Sequence, residues 1–233
     1  MDMSLHNVKG LSFDLDDTFY DNEPVIRNAF KELYNYLNNH YPDIRDHYNF
    51  EGFLSAATNI KKAHSKEADL GKLRRMHIRQ ILTTSGYPSD INSTQNKEAY
   101  AVFWQARQKV TLYPDVHTVL KQLSSQLPLV SISNGNACTR TMGIDQYLQH
   151  SINAIDTGKA KPHPSMFLLA CNKLAIEPEQ LVHIGDSVDM DIAGAASAGC
   201  RSIWLNWHDL EVPNHHANLV INNLKALLDI AFQ

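Results

Sequence analysis

The spacing of apolar side chains changes twice along the chain. Residues 8–15, Val-Lys-Gly-Leu-Ser-Phe-Asp-Leu, predict a short buried strand that runs out into acidic residues. From about Asn22 to Val110 the apolar positions fall at helical spacing. Val25, Ile26, Ala29, Phe30, Leu33 and Leu37 form one stripe, with Pro24 suited to a first helical turn. Phe50, Phe53, Leu54, Ala57 and Ile60 form a second, and Leu70, Leu73, Ile78, Ile81 and Leu82 a third. Ala99, Phe103, Ala106 and Val110 complete a fourth, so the stretch predicts four helices in a small bundle.

After Tyr113-Pro114-Asp115 the pattern becomes an alternation of helix and strand. It predicts strands at 129–133, 151–155, 181–185, 201–205 and 219–221, with helices at 115–126, 164–175, 189–198 and 222–231. Such alternation implies the α/β class, a doubly wound parallel sheet covered by helices on both faces. The expected core is 1–19 and 111–233, and the small all-helical domain at 20–110 is an insertion after its first strand.

Composition narrows the picture only slightly. Of 233 residues, 43% are hydrophobic and 20% charged, as in ordinary globular proteins. A formal charge of -4 gives no field for attracting nucleic acid or anionic lipid. Three scattered cysteines, Cys138, Cys171 and Cys200, lack the short spacings of zinc or dithiol motifs and read as reduced thiols. The N-terminal residues carry neither the basic start nor the apolar stretch of a signal peptide, and no run approaches the ~20 apolar residues that span a bilayer. The expectation is a cytoplasmic soluble protein with no nucleic-acid or membrane partner, and nothing in the sequence demands a second copy of the chain.

The strand ends carry the chemistry. In an open parallel sheet, ligands bind beyond the carboxyl ends of the strands. One predicted strand ends Asp14-Leu-Asp16-Asp-Thr18, another Ser133-Asn134-Gly135, and a third Gly185-Asp186-Ser187 with Asp189 and Asp191 close behind. Asp14 and Asp16 alternate, so both could enter one pocket as the strand runs out. With Asp186 beside them they would repel one another, and a hard divalent cation such as Mg2+ relieves that. Ser133, the amides around Asn134 and Gly135, and Lys159 or Lys161 could hold the oxygens of a phosphoryl group. These parts amount to phosphoryl transfer.

The order Asp14-Leu-Asp16-Asp-Thr18, Ser133-Asn134-Gly135, Lys161-Pro162 and Gly185-Asp186 through Asp191 resembles the four motifs of haloacid-dehalogenase-like phosphatases. The resemblance implies Asp14 as nucleophile, forming an aspartyl-phosphate, and Asp16 as the acid and base at the leaving group and water. It implies that Ser133, Asn134 and Lys161 bind phosphate, Lys161 being preferred to Lys159 because a proline follows it. Mg2+ would be held by Asp14, the backbone carbonyl of Asp16, and Asp186, with Asp191 as an outer partner. Asp189 and Lys159 read as a helix-start carboxylate and a surface charge. Asp16 favours phosphatase over dehalogenase, because a halide leaves without a proton and an alkoxide does not. The helical insertion matches the family's cap, whose movement would admit a small-molecule phosphomonoester and exclude water.

Phe13 through Asn22, Ser133-Asn-Gly-Asn136 and Trp104-Gln-Ala-Arg107 are also similar to YigB-like phosphatases, associated with FMN and the riboflavin-pathway phosphoribitylaminouracil. Arg74, Arg75, His77, Arg79 and Arg107 lie where leaving groups would be read, although charge runs usually form a solvated face. Tyr100 and Trp104 could stack on a flavin-like ring, although aromatic residues at helical spacing are more often core. Two other classes stay open: a sugar-phosphate mutase of the same superfamily, and a non-enzymatic binding module on its scaffold.

Overall fold

The computed structural model describes residues 4–213 and 215–232; residues 1–3, 214 and 233 of the predicted core lie outside this description. The chain divides into two compact units, 1–21 with 111–233, and 22–110.

The α/β unit begins with β1 (Ser4–Leu5) and β2 (Gly10–Phe13). The helical unit follows, with α1 (Asn22–His40), α2 (Ile44–His47), α3 (Phe50–Ala63), α4 (Leu70–Thr84) and α5 (Thr94–Arg107). The chain then returns through α6 (Val116–Ser124), β3 (Leu129–Ser133), β4 (His150–Asn153), α7 (Ala154–Thr157) and α8 (Ser165–Leu174). It ends with β5 (Leu181–Gly185), α9 (Ala193–Ser197), β6 (Arg201–Leu205), β7 (Leu219–Ile221) and β8 (Ala231–Phe232).

Six of the strands form one parallel sheet in the order β4-β3-β2-β5-β6-β7, flanked by helices. Leu11 sits between Leu129 on one side and Val182 on the other. Strands β2, β3 and β5 are buried along their whole length, which is why they read as apolar runs and not as alternations. From β2 the chain builds outward through β3 and β4, then crosses back to β5 on the other flank of β2. That reversal makes the carboxyl end of β2 the switch point of the sheet, where a crevice must open.

In the helical unit, Ala29, Leu33 and Leu37 of α1 face Phe53, Ala56, Ile78, Ile81, Leu82, Ala99, Phe103 and Ala106. The fully buried pair on α3 is Phe53 and Ala56, while the predicted Leu54, Ala57 and Ile60 are half-buried. Three helix starts are capped in the same way. Asn49, Asp69 and Ser93 accept from the amides of Gly52, Lys72 and Asn96, each cap contributing about 1 kcal/mol.

Two predicted helices take other forms. Residues 222–231 hold only a 3-10 segment, Leu224–Asp229, begun by Asn223, whose side chain accepts from the Ala226 amide. The chain then extends so that Ala231 and Phe232 pair with Ser4 and Leu5, a long-range ladder that local spacing cannot reveal. The segment 189–198 splits into a wide π-type turn, Val188–Ile192, and the short α9. The wide turn is held by Ser187, whose carbonyl accepts from the Asp191 and Ile192 amides and whose amide donates to Asp191 Oδ2 at 3.0 Å.

Candidate active site

Asp14 is fixed where β2 ends. Its amide donates to the Ile184 carbonyl at 2.9 Å, extending the β2–β5 ladder by one bond, and the residue is 8% exposed. The chain then turns through Asp17, which has φ 59°. The Asp16 carboxylate accepts from the Tyr20 hydroxyl and lies against Gly135, where an added Cβ would come within 2.5 Å of Oδ2.

Lys161 is the centre of the arrangement. Its ammonium donates to Asp14 Oδ1 at 2.7 Å, Asp191 Oδ1 at 2.6 Å and the Ile132 carbonyl at 2.9 Å, which uses all three of its protons. Burial acts to depress this lysine, but the Asp14 and Asp191 carboxylates outweigh it and hold the ammonium above its ordinary range. Asn134 clamps the Lys161 main chain from both sides, accepting from its amide at 2.6 Å and donating to its carbonyl at 3.1 Å. The Asn134 side chain thereby commits its oxygen and one of its two amide protons, leaving the second proton and the main-chain amide to offer a phosphoryl oxygen. Ser133, almost fully buried at the end of β3, accepts from the Gly135 amide at 2.9 Å, which leaves its hydroxyl proton free to donate.

Asp186 follows β5. Thr18 donates to its carboxylate at 3.2 Å, and the Trp204 indole donates to its main-chain carbonyl at 2.8 Å. Burial, then the neighbouring Asp191 and Asp17, push its carboxyl up to about 7. Burial likewise raises Asp14, with Asp191 and Asp16 adding to it against the opposing pull of Lys161. Asp191 is held low chiefly by Lys161 and His183, against a large burial penalty.

One ammonium thus serves two carboxylates, and a third stands beside them. Carboxylate oxygens of Asp14, Asp186 and Asp191 lie within 4.8 Å of one another. An all-oxygen, under-compensated set of this kind fits a hard divalent cation such as Mg2+ and not a thiophilic metal. Asp191 is already engaged by Lys161, His183 and the Ser187 amide, so Asp14 and Asp186 are the carboxylates with capacity left. The Asp16 carboxylate lies outside this cluster. Lys159 is exposed, and the helix-start turn at Asp189 is capped by Ser187, which accepts from the Met190 amide.

The sequence reading assigned nothing to His183, Ser12 or Tyr20. Fully buried His183 links Ser12 Oγ, 2.9 Å from its Nδ1, to Asp191 Oδ1, 3.1 Å from its Nε2. Burial lowers its pKa, so the neutral ring donates through Nε2 to the acceptor-only carboxylate. Within Leu-Val-His-Ile-Gly, a polar residue inside an apolar strand was the available signal.

A family model for haloacid dehalogenase-like hydrolases matches residues 8–199. The chain belongs to that family. It is 31% identical to the 5-amino-6-(5-phospho-D-ribitylamino)uracil phosphatase YigB of Escherichia coli K12, over 86% of this chain and 84% of that one. It is 28% identical to human N-acylneuraminate-9-phosphatase, over 97% and 96% of the two chains. Among solved structures, a 2-haloacid dehalogenase from Pseudomonas syringae pv. Tomato DC3000 superposes with a TM-score of 0.87 at 31% identity, covering 95% and 97%. Family, fold and curated relatives together make this chain a phosphatase of the haloacid dehalogenase-like hydrolases.

Proposed function

We propose that the protein is a magnesium-dependent phosphatase that hydrolyses small phosphomonoesters through an aspartyl-phosphate on Asp14. The observation that carries this reading is the Asp14–Lys161 pair, 2.7 Å apart at the switch point, with Lys161 itself anchored to Asp191 and Ile132. The ammonium orients Asp14, offsets its charge, and lets it approach an anionic phosphorus. Ser133 donates its free hydroxyl proton to the phosphoryl group. Asp16, set apart from the carboxylate cluster, protonates the leaving alkoxide and later takes a proton from water.

Asp14 and Asp186, with the Asp16 main-chain carbonyl, are the proposed holders of Mg2+. When bound, the ion neutralises charge on the phosphoryl oxygens. Residues 22–110 are assigned the part of the family's cap from their place of insertion alone. No described helix is long and apolar enough to cross a membrane, and a cytoplasmic enzyme is proposed.

The similarity to YigB supports a finer substrate class, FMN or the phosphoribitylaminouracil named for that relative. The similarity to a haloacid dehalogenase does not redirect the reading, because Asp16 is the acid an alkoxide requires and a halide does not.

The test is phosphate release from a panel of phosphomonoesters, FMN included, with and without Mg2+, using Asp14→Asn as control. Metal-dependent release that disappears in the variant upholds the chemistry, and a strong preference for FMN or a ribityl phosphate upholds the substrate class. Isomerised sugar phosphate without free phosphate would replace the phosphatase by a mutase. No turnover of any ester would leave a binding module.

A further inference from the structure

Five basic side chains of the helical unit stand out in the sequence. Arg74 lies over the Phe30 and Phe103 rings, and Arg75 lies over the Tyr100 ring and 3.8 Å from Asp69. His77 is fully buried and donates to the Phe53 carbonyl at 3.0 Å, Arg79 is exposed, and Arg107 is buried in the last turn of α5. The α/β unit holds a different kind of chemistry, a pair of thiols that the phosphatase reading leaves idle.

Cys171 and Cys200 are both buried, and their sulfurs lie 3.9 Å apart, within reach of an S–H hydrogen bond. The two residues are 29 positions apart in the chain, and two helix ends bring them together. Helix α8 stops at Ala175, a left-handed residue with φ 54°, and the Ile176 amide beyond it donates back to the Cys171 carbonyl at 3.1 Å. Helix α9 is followed by Gly199, with φ 77°, and the Cys200 amide donates back to the Ala195 carbonyl at 2.9 Å. Each is the closing bond that satisfies a carbonyl left over at a helix end. The main chain of each cysteine is thus pinned by a turn, and the two turns set sulfur against sulfur.

A thiol fills a core as any small apolar group does, and what distinguishes it is reactivity. An isolated buried thiol is inert because nothing supports its thiolate. Here the second thiol gives that support. The S–H of Cys200 holds the Cys171 thiol below its ordinary range, and the same bond, with burial, pushes Cys200 up. One sulfur therefore ionises while its neighbour keeps a proton.

We propose that Cys171 and Cys200 form a redox-active dithiol, oxidised by a hydroperoxide to an intramolecular disulfide and restored by a small thiol. The Cys171 thiolate attacks a peroxide oxygen and the O–O bond breaks, giving a sulfenic acid. The departing hydroxide takes up the proton that Cys171 gave up. The Cys200 sulfur then attacks Cys171 Sγ, the S–O bond breaks, and the hydroxide leaves with the Cys200 proton as a second water. Two thiols and hydrogen peroxide become one disulfide and two waters, the sulfurs giving up the two electrons that the peroxide gains. In a reducing compartment the pair rests as thiols. The bond closes a loop that carries β5, Asp186 and Asp191, and its effect is to restrict that loop in the unfolded chain. None of this depends on the reaction the site catalyses.

The test treats the full chain, native and in urea, with hydrogen peroxide. Remaining thiols are blocked with iodoacetamide, and the peptides are mapped without reductant by mass spectrometry. The native chain is expected to give a Cys171–Cys200 peptide pair that dithiothreitol removes and that forms equally in Cys138→Ser. The bridged protein should melt on the order of 5 °C higher than the reduced one. Cys171→Ala should show neither the bridge nor the shift. A bridge through Cys138, thiols that stay open to alkylation or pass unpaired to sulfinic acid, or a bridge made only in urea would each overturn the proposal. So would a bridged protein that melts lower, since the two turns would then not preset the bond.

Discussion

Asp14 and Asp16 are two residues apart and are assigned different jobs because their surroundings differ. Asp14 is buried against an ammonium, whereas Asp16 accepts from Tyr20 and rests on Gly135, apart from the carboxylate cluster. Proton delivery matters most when the leaving group is a poor one. Asp16→Asn should therefore slow cleavage of an alkyl phosphate by roughly 10²–10⁴-fold. The same variant should form the aspartyl-enzyme from p-nitrophenyl phosphate at near wild-type rate. Single-turnover burst rates measure both, and equal losses would remove Asp16 from the acid's role. Asp14, Ser133 and Asp186 were visible as polar residues at the ends of apolar runs, which is a local property, and Lys161 was picked out from Lys159 by the proline that follows it. The contacts that determine what each side chain can still do were not visible. That the Asn134 side chain bonds Lys161, 27 positions away, is a fact of the folded chain. So is the position of Asp191 between Lys161 and His183.

Elements were legible where one face or one run dominates. The buried strands β2, β3 and β5 announce themselves because both faces are apolar, and α1 because its stripe repeats cleanly. The two-residue strands β1 and β8 are too short to carry a period, and their mutual pairing displaced the expected terminal helix. In the helical unit, α4 carries a residue with a measurable consequence. His77 is fully buried among Phe53 and Phe30, and burial, helped by the Arg74 charge, lowers its pKa to about 3. An unfolded histidine takes up its proton below about pH 6.5, whereas the folded one stays neutral. The unfolded state therefore binds more protons across that window, and stability falls with falling pH. At pH 4.5 the loss attributable to His77 is about 2–3 kcal/mol. His77→Gln keeps a donor for the Phe53 carbonyl and removes the titration. Urea unfolding followed through the helical unit should show a shallower decline between pH 6.5 and 4.5 in the variant. Parallel declines would mean that His77 is protonated in the folded protein.

At the scale of the whole molecule, the crowded carboxylates at the sheet's switch point would link the proposed metal binding to folding. Asp14 and Asp191 share one ammonium with Asp186 beside them, and burial, with the neighbouring carboxylates, raises the carboxyls of Asp14 and Asp186. A ligand that binds only the folded unit stabilises it by mass action, about 2.7 kcal/mol at one hundred times its dissociation constant. Mg2+ should therefore raise the protection of β2, β3 and β5 amides in hydrogen exchange. Asp186→Asn should abolish that response and, by removing one of the crowded charges, make the metal-free protein more stable than wild type. The helical unit has its own buried core and no part in the carboxylate cluster, so its amides provide the internal comparison. A magnesium response confined to the α/β unit places the binding energy at the strand ends. If β2 and β5 gain no protection in wild type, the carboxylates do not form a metal site, and the charge balance must be met by protonation instead.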